Sequence, residues 1–163
     1  MELMLTLVIA ATLMGVAVPA FRGVINSNRV LTQSNDIVAA LNLARSEAIT
    51  RNATITVCAA DNATSTSCNI TATNWPAWVV LNGSTLIRGG EINNYSSTLK
   101  VFAGLASNTA TYSSDGLART GGALINAEAI TVCTTFSKID KNIYTISPGG
   151  GSRISTVTTK GTC

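Results

Sequence analysis

The sequence predicts an α+β fold: a long N-terminal helix packed on a largely antiparallel β-sheet domain. Three observations carry that expectation. The chain opens on an uncharged apolar run, Leu3 to Phe21, preceded by a single acid, Glu2. Apolar residues then recur at helical spacing as far as Arg51. Beyond Asn52 the period falls to two, in short β-branched stretches divided by Gly-containing turns.

The elements follow in order. As a helix, Leu3 to Phe21 spans about 28 Å, close to the hydrocarbon thickness of a bilayer. Residues 1–21 are therefore read as a transmembrane or filament-core half-helix, with Pro19 near its end expected to kink it rather than abolish it. Residues 22–52 form an amphipathic second half. Val30, Ile37, Leu41, Ala44 and Ala48 share one face, and Glu47 precedes Arg51 by one helical turn in the favourable order. Residues 53–163 make a β-rich domain of seven or so strands. "ATITVCA", "AWVVLNG" and "STLIRGG" come first, the last two joined at Asn82-Gly83. Thr98–Phe102, Thr109–Ser113, Ala129–Thr134, Asn142–Ser147 and Arg153–Thr158 follow, with turns at Asp115-Gly116, Gly121-Gly122 and the run from Pro148 to Gly151. Trp75 and Trp78 in "NWPAWVV" are expected in the core or as cover over the sheet.

Charge and composition narrow the function. The net charge is +3, and Lys and Arg are scattered singly, without the cluster that tracks a phosphate backbone. The soluble part is rich in Thr, Ser, Asn, Ala and Gly, a mixture suited to extracellular β structure. With 163 residues the chain has room for one globular domain with a real core. Its four cysteines, Cys58, Cys68, Cys133 and Cys163, stand at wide spacings beside an export-like N-terminus, which favours disulfides. Four cysteines allow three pairings. The local pairs, Cys58 with Cys68 and Cys133 with Cys163, are favoured, and loop entropy gives them about 3 and about 4 kcal/mol.

Catalysis finds little support. The chain has no histidine, which removes Ser-His and Cys-His nucleophiles and, with no CxxC pair, any ordinary zinc site. Asp36, Glu47, Asp61, Glu91, Asp115, Glu128 and Asp140 are separated by long polar stretches, with no spacing that marks a carboxylate pair. "SPGGGSR" lacks the Gly-Lys-Ser/Thr ending of a phosphate loop and reads as a hairpin. No enzyme activity, cofactor or metal is expected.

Glu2 raises the sharper question. A carboxylate carried into hydrocarbon costs a few kcal/mol unless it meets a positive partner. The α-amino group of a neighbouring helix would serve, so a lone acid at the tip of an apolar helix favours side-by-side packing. A cleaved secretory signal, cut after Ala20, is the competing reading of the same stretch. The acidic start, the lack of Lys or Arg before Leu3 and the helical pattern beyond Phe21 oppose it.

With its Glu, apolar run and late Pro, "ELMLTLVIAATLMGVAVPAF" resembles the N-terminal helix of type IV pilins and pseudopilins. "LNLARSEAITRNATITVC", Leu41 to Cys58, resembles the helix end and first strand of the FimT/GspH group of minor pilins; "ISPGGGSR" and the paired late cysteines resemble that group more loosely. The resemblance covers the first third of the chain well and the last fifth loosely. It implies that Glu2 is the assembly glutamate and that Leu3 to Phe21 moves from inner membrane to filament core. The partners implied are other pilins or pseudopilins and the inner-membrane assembly platform, with the β domain in the periplasm. The family's leader, its glycine and its first mature residues do not precede Glu2 here, so methylation of a mature N-terminus falls on no residue numbered in this chain. An alternative function also follows from the resemblance: some FimT-like pilins hold DNA during uptake through a C-terminal Gly-Arg-x-Arg pattern. This chain reads Gly151-Ser152-Arg153-Ile154-Ser155, retaining at most one of those arginines, with Lys160 as a possible second cation.

Overall fold

The structure is a computed structural model that describes residues 2–92, 98–136, 141–149 and 153–163; the side chains of residue 2 and of residues 16–20 lie outside that description. One helix, α1, runs from Glu2 to Arg51 without interruption, through Pro19. Asn52 ends it by turning left-handed, at φ 49°. The Ala53 N–H then donates to Ala48 O (3.1 Å) and the Asn52 N–H to Ile49 O (3.4 Å), the two bonds of a Schellman cap. Glu47 and Arg51 form an ion pair on the last turn, exposed enough to contribute only a few tenths of a kcal/mol.

Two antiparallel sheets wrap the C-terminal half of this helix. The first has six strands in the order β3-β2-β1-β5-β6-β7: β1 Ile55–Ala60, β2 Ala77–Asn82, β3 Thr85–Glu91, β5 Thr109–Tyr112, β6 Ala118–Thr120 and β7 Ala123–Leu124. The second has four, in the order β10-β9-β8-β4: β4 Leu99–Ala103, β8 Ile130–Thr134, β9 Ile143–Ser147 and β10 Ser155–Thr159. The helix touches β1, β2 and β5 of one sheet and β8 and β9 of the other. Val30, Ile37, Ala40, Leu41, Ala44 and Ala48 close the main core against Ile55, Val57, Val80, Ile130, Val132 and Ile146. Alternation along β1 and β2 then sends Cys58, Ala60, Val79 and Leu81 to the opposite face, where they form a smaller cluster under Cys68 and Leu86. Trp75 and Trp78 are both buried in the main core.

The α+β plan thus holds, with two adjustments. The strands divide between two sheets, because a period of two identifies faces but not neighbours. The short hairpin β6–β7 adds strands that the sequence did not mark. It turns at Gly121 and Gly122, both at positive φ (58° and 87°), a pairing that side chains resist. The turn expected at Pro148–Gly151 lies partly outside the described residues.

Candidate functional site

The first candidate is the free half of α1. Every described residue from Leu3 to Gly15 is exposed, and the first fully buried helical side chain is Val30. About 33 Å of helix, before Ile25 meets the groove beside the sheet, therefore projects beyond the domain. Leu3 and Met4 are 76% and 77% exposed, values for side chains that nothing in this chain covers. The hydroxyls of the stretch make no demand on solvent: Thr6 Oγ1 donates to Leu3 O (3.0 Å) and Thr12 Oγ1 to Ile9 O (2.8 Å). Glu2 begins the helix, with its side chain outside the described residues. Among the described residues, no helix is long and apolar enough to cross a membrane; the described side chains of the apolar run reach from Leu3 to Gly15 before residues 16–20 intervene.

The second candidate is the C-terminal segment. Arg153 precedes β10 and Lys160 follows it, both exposed. The strand between them sets the two about 23 Å apart along the backbone, so they share one edge without converging on a point. All five residues of β10 are exposed. What holds the strand lies elsewhere. Cys133 on β8 is bonded to Cys163 (Cα–Cα 5.7 Å), and the buried Asn142 side chain clamps Gly161. Asn142 Nδ2 donates to Gly161 O (2.7 Å), while Asn142 Oδ1 accepts from the Gly161 N–H (3.0 Å), imitating one rung of a β-ladder. Sequence reasoning missed this clamp, since nothing local to Asn142 marks a partner 19 residues away. The other disulfide joins Cys58 on β1 to Cys68 (Cα–Cα 5.6 Å) and pins a loop over the smaller cluster.

Several polar groups of the domain pair within the fold. Asp115 and Arg119 form a two-pronged ion pair (2.7 and 3.1 Å), and the Arg119 guanidinium, helped by the Leu117 N–H, lowers the Asp115 carboxyl to about 2. Backbone N–H groups, its own first and then those of Asn126 and Ala127, lower the Glu128 carboxyl as well. Burial raises the Tyr112 phenol to about 12, opposed by the nearby Arg45 charge. Among the described residues, no set of His, Cys, Asp or Glu could hold a metal ion. An open groove of about 460 Å³ runs between α1 and the ends of β3 and β4, lined by Ile25, Arg29, Gln33, Asp36, Glu91 and Leu99 among others. Its carboxylates and guanidinium are mixed, with no nucleophile and base pair among them. Asp140 lies outside the described residues.

Comparisons with known proteins agree with this geometry. The family described as "Type II transport protein GspH" matches residues 33–158. Among solved structures, the type IV minor pilin FimU of Pseudomonas aeruginosa strain PAO1 is similar in fold in two crystal forms. One aligns with TM-score 0.54 at 15% identity, covering 78% of this chain and 91% of that one. The other gives 0.55 and 16%, covering 80% and 90%. Comparison with individual curated protein sequences gives no match.

Proposed function

Because the chain belongs to the GspH family, we propose that it is a minor pilin or pseudopilin, a structural subunit that joins a type IV pilus or a type II secretion filament through its N-terminal helix. The observation that carries this reading is the free half-helix, apolar and exposed from Leu3 to Gly15 while its own domain covers none of it. Such a surface requires a lipid or protein environment. In the membrane it would act as a single-pass anchor, with the disulfide-bonded domain on the oxidising, periplasmic side. In a filament, neighbouring helices would replace lipid around it.

Glu2 supplies the direction of that transfer. A lone carboxylate at the head of an apolar helix is costly in hydrocarbon and is relieved when a neighbour's cation arrives. Glu2→Ala in the full-length gene product should therefore lower filament incorporation at least tenfold, scored by immunoblot of sheared filaments. Membrane levels and domain stability should not change. Equal incorporation of the variant would end the proposal.

A second reading, capture of DNA, draws on the exposure of Arg153 and Lys160 along one edge. Two cations give few phosphate contacts, so binding would be weak and steeply salt-dependent. A gel-shift titration at low salt, comparing the chain with Arg153→Ala, tests it; identical titrations remove the idea.

A further inference from the structure

We propose that the outer edge of β10, Ser155–Thr159, is a strand-addition site that accepts an extended, acid-flanked segment of a partner protein. The inference stands apart from the filament reading, because the edge exists whatever machine the chain serves.

An unpaired edge strand presents a row of backbone donors and acceptors, and proteins normally blunt it. Among the described residues, three of the four sheet edges are blunted. On β4 the Val101 N–H donates to Asn74 Oδ1 (2.8 Å) and Val101 O accepts from the Trp75 N–H (2.7 Å), so the 74–75 segment occupies that edge. On β3 a register shift at Val80/Leu81 and the charged, exposed Arg88 and Glu91 interrupt the ladder. The β7 edge is only two residues long. By contrast, β10 is five residues long, regular in register with β9 from Ser155 to Thr159, and free of proline and bulges.

None of the side chains of Ser155–Thr159 is buried, and the packing against the core comes just before the strand, at the half-buried Ile154. Its far end is secured by the Asn142 clamp at Gly161 and the Cys133–Cys163 bond. A strand fastened covalently and kept out of the core is an edge held ready rather than a piece of the interior. Ser155, Thr156, Val157, Thr158 and Thr159 also suit a partner strand, since β-branched residues pair well across a ladder.

Charge chooses the occupant. Arg153 lies at one end of the edge and Lys160 at the other. Antiparallel self-pairing centred on Val157 would set Lys160 of a second copy opposite Ile154, beside Arg153, bringing like charges together at both ends. Another copy is therefore disfavoured. An extended segment with an acid at each end meets a cation at each end. Recognition would use backbone hydrogen bonds for affinity and the flanking charges for register.

The test uses the full chain in detergent micelles and three labelled peptides read by fluorescence anisotropy. One is acid-flanked, Asp-Thr-Val-Ser-Val-Thr-Thr-Glu, its acids seven positions apart like Arg153 and Lys160; one has the same sequence with alternate amides N-methylated; one carries Lys at both ends. The first should bind, and the other two at least tenfold more weakly. Amide hydrogen exchange should slow at alternate β10 positions only, those whose N–H groups face away from β9. Arg153→Glu should abolish the preference between acid-flanked and Lys-flanked peptides at unchanged Tm, since Lys160 keeps the other end positive, while Glu2→Ala leaves all three affinities alone. Indifference to N-methylation, protection outside β10, dimerisation through β10, or a single-stranded oligonucleotide displacing the peptide without protecting β10 amides would each overturn the proposal.

Discussion

At the scale of single residues, the core contains polar atoms that a purely apolar reading of strand faces would miss. Tyr112 is 1% exposed, and its hydroxyl has no hydrogen-bond partner among the described residues. Leaving such a group unsatisfied costs about 1–3 kcal/mol. Tyr112→Phe should therefore stabilise the domain by about 1 kcal/mol at neutral pH, measured by urea titration. Its pH dependence has a definite sign. The phenol is raised from 10.0 to about 12 in the fold, so the folded state holds its proton more tightly than the unfolded chain. The associated stability is intact below pH 10 and lost as pH rises from 10 towards 12. The phenylalanine variant should lack that alkaline step; a matching loss in both proteins would show that other groups produce it. Sequence alone gave Tyr112 a place on an alternating strand, "TATY", but not its orphaned hydroxyl, because satisfaction depends on neighbours from other elements.

At the scale of elements, legibility followed locality. The helix end at Arg51 could be read because apolar spacing changes there and Asn52 tolerates the left-handed turn that closes it. The strands could be placed because Val, Ile and Thr alternate between glycine turns. Their neighbours could not, since β1 pairs with β5 across more than fifty residues of chain and no local pattern records it. Nor did the sequence reveal that the last strand lies outside the core. That arrangement gives the Cys133–Cys163 bond, closing a separation of 30, an unusual share of the work at the C-terminus. Loop entropy puts its contribution at about 4 kcal/mol. Cys163→Ser should lower Tm by about 10 °C, given a shift of about 2–4 °C per kcal/mol in a domain of this size. Faster hydrogen exchange should begin in β10 and spread to β9, leaving β1 and β2 protected. A variant with unchanged Tm and unchanged β10 exchange would mean that the Asn142 clamp and the β9 ladder suffice without it.

At the scale of the molecule, one helix belongs to two environments. From Val30 onward it is a core element, with Val30, Ile37, Leu41, Ala44 and Ala48 at 0–1% exposure. Before that point its described side chains are exposed or only half-buried, so the domain draws no core packing from them. The same covalent rod thus carries a complete interior at one end and an uncovered apolar surface at the other, and the two should be separable. Deleting residues 1–21 should leave a domain that is monomeric in detergent-free buffer by analytical ultracentrifugation, with Tm within a few degrees of the full chain in micelles. The full chain should aggregate once detergent is removed, because each exposed Leu, Ile or Met leaves about 1.5–3 kcal/mol of burial unrealised. A truncated domain that melts far lower would show that the projecting half stabilises the fold directly. A truncated domain that aggregates like the full chain would place the sticky surface elsewhere, and would remove the physical basis for assigning assembly to the N-terminal half of α1.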